Sequence, residues 1–323
     1  MRVLVTGASG LLGRTVAQNL IDGGHEVTVM QRRASELACD EVRGDITDRV
    51  EVEAAVLGQE AVVHLAAKVS PTGSWSEFEA INIEGTKNLV QASQQAGVGR
   101  FIYVSSPSVA SSGDAHVGVG ALPADPSSTG SFYARSKAEA ELYVLGVEDD
   151  SVSIAAVRPH LVWGPGDEQL IARIVERAEK GMLRLIGSGA ALVDSTYVDN
   201  AADAIVASLM HADRIDGRAL VISNGEPRPI AELLGGIVEA AGLERPTSSV
   251  PPALAKSMGS VIEKVWSVGR LTQDPPMTRF LAEQLSTAHW YDQRETQELL
   301  EWAPKVSLEE GFVRLRAWYD SAS

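Results

Sequence analysis

The chain has 323 residues, 45% of them hydrophobic, with 28 basic and 43 acidic residues and a formal net charge of −15. That size supports a large core with a smaller lobe, and the acidity argues against a nucleic-acid partner. The single cysteine, Cys39, excludes an intrachain disulfide and fits a reducing, cytoplasmic setting; a first strand starting at residue 2 leaves no room for a signal peptide, and no apolar run is long enough to span a membrane.

Arg2–Thr6 is a β-branched apolar run, predicted as a buried strand. Gly7, Gly10 and Gly13 follow it, and residues 11–20 read as an amphipathic helix. A strand, a glycine turn and a helix start together make a pyrophosphate site. The glycines let backbone approach the phosphate, and the free N–H groups at the helix start stabilise the anion. Gly7, Ser9, Gly10, Leu11, Leu12 and Gly13 are therefore candidate cofactor contacts. The second strand, 26–30, ends in Gln31-Arg32-Arg33, without the acid that bonds an NAD ribose. Arg32 and Arg33 suit a 2′-phosphate, so NADPH/NADP⁺ is expected over NAD; a solvated basic pair is the alternative.

A third short strand leads to Gly44-Asp45-Ile46. Residues 62–67 read as a fourth strand whose last residues, Ala66 and Ala67, allow close approach to a cofactor. Lys68 lies beside the cofactor or in solvent, and His64 reads as a packed core histidine. After a helix at 76–96 comes the fifth strand, Arg100–Val104, with Ser105, Ser106 and Ser108 at its carboxyl end, where open α/β sheets bind ligands. Residues 107–131 show no periodicity and read as a loop covering the substrate. In the helix Phe132–Leu145, Tyr133 and Lys137 stand one turn apart on one face.

Tyr133 can give a proton to a ketone oxygen as hydride reaches the carbon. A free tyrosine titrates near ~10, and the Lys137 cation and an oxidised nicotinamide are expected to lower that value. Residues 157–167 carry a sixth strand and a turn, with Pro159 and a packed or active-site His160. Helices 198–211 and 230–241 and a strand at 219–223 follow. Leu254, Met258, Val261, Ile262 and Val265, with Trp266 beside them, recur at helical spacing between Pro251-Pro252 and Pro275-Pro276. The stripe reads first as core; the alternative is an apolar cover over a fatty substrate or a shallow membrane contact.

Strands alternate with helices to about residue 160, which predicts an α/β fold. The expected architecture is a doubly wound parallel Rossmann sheet with a smaller C-terminal substrate lobe. Residues 1–165 form the dinucleotide-binding core, and 166–323 interleave core elements with the lobe. No metal site is expected.

The glycine spacing, the Tyr133-Ala-Arg-Ser-Lys137 segment and Val157-Arg-Pro-His-Leu-Val-Trp-Gly-Pro-Gly-Asp167 resemble the extended short-chain dehydrogenase/reductases. The resemblance implies Ser106, Tyr133 and Lys137 as catalytic residues, adenine contacts from Asp45 and Ile46, and a nicotinamide contact after Pro159. It also implies a homodimer formed by the helices at 76–96 and 132–145. Asn82–Asn88, Asp194–Asn200 and the stretch from Asp274-Pro-Pro-Met-Thr to Trp290-Tyr-Asp292 resemble the 3β-hydroxysteroid dehydrogenase-like branch. Within it, 103–110 and 185–204 are most similar to bacterial 2-alkyl-3-oxoalkanoate reductases of long-chain olefin biosynthesis. That class takes a hydrophobic small-molecule substrate, and the resemblance implies assembly with the other enzymes of the pathway and at most peripheral membrane contact.

Oxidation of a 3β-hydroxysteroid or sterol carboxylate stays open. A nucleotide-sugar epimerase is disfavoured, because Leu161 stands where those enzymes often carry a phosphate-bonding Asn. A redox sensor that binds NADP without turnover is disfavoured by the intact Tyr133 and Lys137.

Overall fold

The computed structural model describes residues 1–70, 72–269 and 279–322. The first half runs β1 (Arg2–Thr6), α1 (Leu11–Asp22), β2 (Glu26–Gln31), β3 (Asp40–Arg43), α2 (Arg49–Val56), β4 (Ala61–His64) and α3 (Trp75–Phe78). A π-helical stretch (Glu79–Glu84) leads into α4 (Gly85–Ala96), β5 (Arg100–Val104), a 3₁₀ turn (Pro107–Ala110), β6 (His116–Val119), α5 (Phe132–Leu145) and β7 (Ser153–Pro159). There follow β8 (Val162–Trp163), α6 (Ile171–Glu179), β9 (Leu185–Ile186), β10 (Leu192–Val193), β11 (Thr196–Tyr197), α7 (Val198–Met210) and β12 (Ala219–Ile222). The chain closes with β13 (Arg228–Pro229), α8 (Ile230–Ala240), β14 (Ser249–Val250), α9 (Pro252–Gly269), α10 (Arg279–Ser286), β15 (His289–Tyr291), α11 (Arg294–Leu300) and α12 (Leu308–Ala322).

The main sheet has seven strands in the order β12-β7-β5-β4-β1-β2-β3, all parallel. Both faces are covered, which is why its central strands read as unbroken apolar runs. Val3 and Val5 face α1 and α7, packing with Leu20, Ile205 and Leu209. Leu4 points the other way, toward Val52, Leu89, Phe101 and Val144 of α2, α4, β5 and α5. A third cluster joins Trp163, Ile174, Tyr197, Leu233 and Ile237 into a lobe beside the carboxyl edge of the sheet.

The structure corrects four expectations. β4 stops at His64, because Leu65 and Ala66 bend toward β1: the Leu65 N–H donates to the Thr6 carbonyl at 3.2 Å and the Ala66 N–H to the Thr6 hydroxyl at 3.1 Å. The helix at 76–96 holds a π-helical turn. The segment 107–131 is not irregular throughout: β6 pairs in parallel with β15, some 170 residues away, in a four-stranded sheet ordered β13-β10-β15-β6. Finally, the apolar stripe on α9 is not core at Leu254, Met258 and Val261, which are 51%, 48% and 60% exposed, while Ala255 beside them is buried. The side chains of Val265 and Trp266, and residues 274–278 with Pro275-Pro276, lie outside the described residues.

One buried ion pair ties α5, β7 and the long loop together. Arg158 and Glu141 have side chains 2% and 1% exposed. The Arg158 Nε donates to Glu141 Oε2 at 2.9 Å, and Nη2 donates to Oε1. The Arg158 Nη1 donates to the Leu122 carbonyl at 2.6 Å. Removing one member of such a pair leaves the other charge buried without compensation. Glu141→Gln is expected to lower the unfolding free energy by about 3–5 kcal/mol in urea denaturation, whereas Glu53→Gln, at an exposed pair with Arg49, leaves the midpoint unchanged.

Candidate active site

The glycine loop has the shape a dinucleotide needs. Gly7 has φ of 81°, and a Cβ there would lie 2.7 Å from the Ala66 nitrogen. A Cβ on Gly13 would lie 2.3 Å from the Gly7 carbonyl oxygen, so the start of α1 sits directly on the loop. Gly10 caps α1 and so offers no side-chain cap to its first N–H groups, and Ser9 and Gly10 are exposed. The side chains of Leu11 and Leu12 pack into the adjoining core, which leaves their backbone to meet a phosphate.

At the end of β2, Gln31 is buried and neither of its amide atoms has a partner among the described residues. Buried amides are normally bonded, so this orphan suits the ribose hydroxyls of a bound dinucleotide. Arg32 and Arg33 are exposed beside it, and Arg32 Nη1 lies 3.8 Å from Asp45 Oδ2. Asp45 Oδ1 accepts from the Thr47 N–H at 3.0 Å and the Thr47 hydroxyl at 2.9 Å. The Ile46 side chain is buried against Gly85, where a Cβ would meet it at 2.7 Å.

Ala66 and Ala67 lie half-buried past the end of β4. Lys68 lies 3.6 Å from Glu77 and 5.3 Å from the centre of the Phe78 ring. Pro159 closes β7 at the same edge of the sheet. His64 is a core histidine: Thr6 and Thr86 bond its two ring nitrogens at 2.7 and 2.9 Å, and burial holds it down at about 3. His160 is also packed, edge-on to His289 and Tyr291 with ring centres 5.0 and 5.1 Å away.

Ser106, Tyr133 and Lys137 converge. Ser131 caps α5 by accepting the Ala134 N–H at 3.1 Å, which fixes where the helix starts and hence where Tyr133 stands. The Ser106 hydroxyl lies near enough to the Tyr133 phenol to favour its ionised form. Ser106 Oγ is itself 2.9 Å from Ser108 Oγ and accepts the Ser108 N–H at 3.3 Å. Lys137 is 2% exposed; its Nζ donates to the Val104 carbonyl at 2.7 Å and lies 4.0 Å from the centre of the Tyr103 ring. Burial pushes Lys137 down to about 7, with Glu141 opposing that shift. Crowding by protein atoms raises the phenol, with Ser106 opposing, so it is held as a proton donor.

Two parts of the site escaped the sequence reading. Asn82, in the π-helical stretch, accepts the Lys68 N–H at 2.7 Å and donates to the Lys68 carbonyl at 3.2 Å and to Ser136 Oγ at 2.9 Å. Ser136 in turn donates to the Tyr133 carbonyl at 2.9 Å. Asn82 thus ties the loop after β4 to α5. A short polar residue inside a helix, three residues before Gly85, was the available signal, since such residues and π-turns mark sites. The second part is a cavity of about 1330 Å³, lined by Tyr133, Leu161, Ile174, Leu233, Val250 and Met258 among others. Pro126, Ser127 and Thr129 to Ser131, at the end of the long loop, form part of its wall.

Comparison with known proteins agrees with this geometry. The model of the NAD dependent epimerase/dehydratase family matches residues 3–223. The chain is 40% identical to the 2-alkyl-3-oxoalkanoate reductase of Stenotrophomonas maltophilia, over 98% of this chain and 99% of that one. It is 33% identical to the 3-beta-hydroxysteroid dehydrogenase of Mycolicibacterium neoaurum, over 77% and 72%. The solved structure of MoeE5 in complex with UDP-glucose and NAD superposes with a TM-score of 0.78 at 25% identity, over 100% and 99%. The chain belongs to the NAD dependent epimerase/dehydratase family, the extended short-chain dehydrogenase/reductases, and is an NAD(P)-dependent oxidoreductase.

Proposed function

We propose that the protein reduces the 3-ketone of a 2-alkyl-3-oxoalkanoate to the 2-alkyl-3-hydroxyalkanoate, using NADPH, in long-chain olefin biosynthesis. The observation that carries this is the position of Tyr133 in the wall of a largely apolar cavity of about 1330 Å³. Typical small-ligand pockets hold roughly 300–1,000 Å³, so this one has room for extended alkyl chains. The full-length relative named for that reaction supports the substrate class. Gln31, Arg32 and Arg33 support NADPH, because a neutral amide and two cations do not repel a 2′-phosphate. The family resemblance extends to a homodimer through α4 and α5, whose surface carries the exposed Leu142, and to assembly with the neighbouring pathway enzymes in the cytoplasm. The same reading allows at most peripheral membrane contact; no helix among the described residues is long and apolar enough to cross a membrane.

Bound NADPH supplies the hydride. As charge grows on the ketone oxygen, Tyr133 donates its phenolic proton and Ser106 adds a hydrogen bond. Lys137, fixed by the Val104 carbonyl, stabilises the phenolate left behind. Asn82 holds the helix against the loop after β4 while this happens.

Tyr133→Phe is expected to lower kcat by about 10²–10⁴-fold while leaving NADPH binding, followed by fluorescence, within two-fold. Loss of both would make Tyr133 a structural residue. The pH profile has a defined sign. Lys137 carries its ammonium below about 7 and loses it above. The reductive kcat/KM therefore falls as pH rises through that value, and a profile flat from pH 6 to 9 contradicts the role given to Lys137.

A further inference from the structure

Lys137 Nζ lies over the face of the Tyr103 ring, 4.0 Å from its centre, and both side chains are buried. The face of an aromatic ring is electron-rich. A cation within about 6 Å of its centre is attracted, most strongly where water is excluded. The sheet fixes this ring in place. Tyr103 stands on β5, in register with His64 of β4 and Ala156 of β7. Its side chain packs on the α5 side of the sheet, among Leu4, Phe101, Ala140 and Val144. The His64 ring lies 5.7 Å from it, centre to centre, and is itself bonded by Thr6 and Thr86. The ring is therefore held from the sheet while the ammonium reaches it from the helix.

An ammonium has three N–H groups to place, and the Val104 carbonyl accepts from Lys137 at 2.7 Å. The titratable and charged groups around it come from three elements. His64, from β4, is neutral, because burial holds it down at about 3. Tyr133, one turn back along α5, is a neutral phenol. Glu141, one turn further on, favours the lysine cation. Glu141 is also bonded twice by Arg158 of β7, and that cation offsets much of its charge. The Tyr103 ring has no such opponent: its whole face acts on the ammonium.

We propose that Tyr103 is a positioning residue: the face of its ring, and not its hydroxyl, keeps Lys137 charged against the cost of burial, so that Lys137 can support proton donation by Tyr133. This rests on the role given to Lys137 above and does not depend on which ketone the protein reduces.

The test titrates Lys137 directly, by NMR of the full-length protein labelled with ¹³C at lysine Cε. The Lys137 signal is identified by its loss in Lys137→Arg. Three proteins are compared with the parent: Tyr103→Phe, Tyr103→Leu, and one with pentafluorophenylalanine in place of Tyr103. Phe keeps the ring, and its midpoint should stay within about 0.3 pH unit of the parent. Leu removes the ring and should lower the midpoint by about one unit. The fluorinated ring keeps the shape but reverses the charge of the face, and should lower the midpoint at least as far. In the reductase reaction, Leu should lower kcat/KM about eight-fold at pH 7.5 and less than about two-fold at pH 5.5, while Phe restores the parent profile. A midpoint unchanged or raised without the ring, or an equal loss of kcat/KM at both pH values, makes Tyr103 a packing residue and overturns the proposal. If the Leu variant does not fold, the fluorinated protein decides by the same criterion. If the parent reduces no 2-alkyl-3-oxoalkanoate, the substrate assignment has failed, and the NMR midpoints alone decide the role of Tyr103.

Discussion

A buried ammonium is the constraint around which this active site is built. Lys137 has almost no contact with solvent, and an isolated charge there would carry a desolvation cost of several kcal/mol. The chain compensates it with the Val104 carbonyl, the face of the Tyr103 ring, and Glu141 one turn further along α5. Glu141 is in turn balanced by Arg158. Tyr133, Lys137 and Glu141 thus follow one another at four-residue spacing on one face of α5, Lys137 and Glu141 buried and Tyr133 half-buried at the cavity. Sheet, helix and long loop are locked together by the Arg158–Glu141 pair, whose carboxylate also favours the Lys137 cation. α5 cannot shift without exposing or stranding a charge.

That arrangement explains why the site lies where separate segments meet. The glycine turn after β1, the small residues after β4, the serines after β5 and the turn after β7 all leave the same carboxyl edge of a parallel sheet, where open α/β folds bind their ligands. The lobe formed by α6, α8 and their neighbours closes over that edge and supplies the apolar wall. The sheet side carries the polar chemistry; the lobe side carries greasy surface. A substrate with a ketone near one end and long alkyl chains matches that division.

What could be read from the sequence was local. Gly7, Gly10 and Gly13, the Tyr133–Lys137 spacing and the strand–helix alternation each declare themselves within a few residues, because turn geometry and helical period are short-range properties. β6 and β15 could not be read that way: His116–Val119 is short and contains glycine, and its partner lies some 170 residues away. The π-helical turn around Asn82 was hidden for a similar reason, since bonds to Lys68 and Ser136, not local propensity, support it. The stripe on α9 misled because helical spacing reports a common face but not what covers it. The raised Tyr133 phenol depends on how closely protein atoms surround it, which no spacing encodes.

The most direct test of the central claim follows NADP⁺ reduction at 340 nm with a long-chain 2-alkyl-3-hydroxy acid, in parallel with a 3β-hydroxysteroid and a UDP-hexose. The oxidative direction avoids the spontaneous loss of CO₂ from β-keto acids. Turnover of the alkyl acid alone, faster with NADP⁺ than with NAD⁺, is the predicted result. Turnover of the steroid or the sugar nucleotide alone would contradict it.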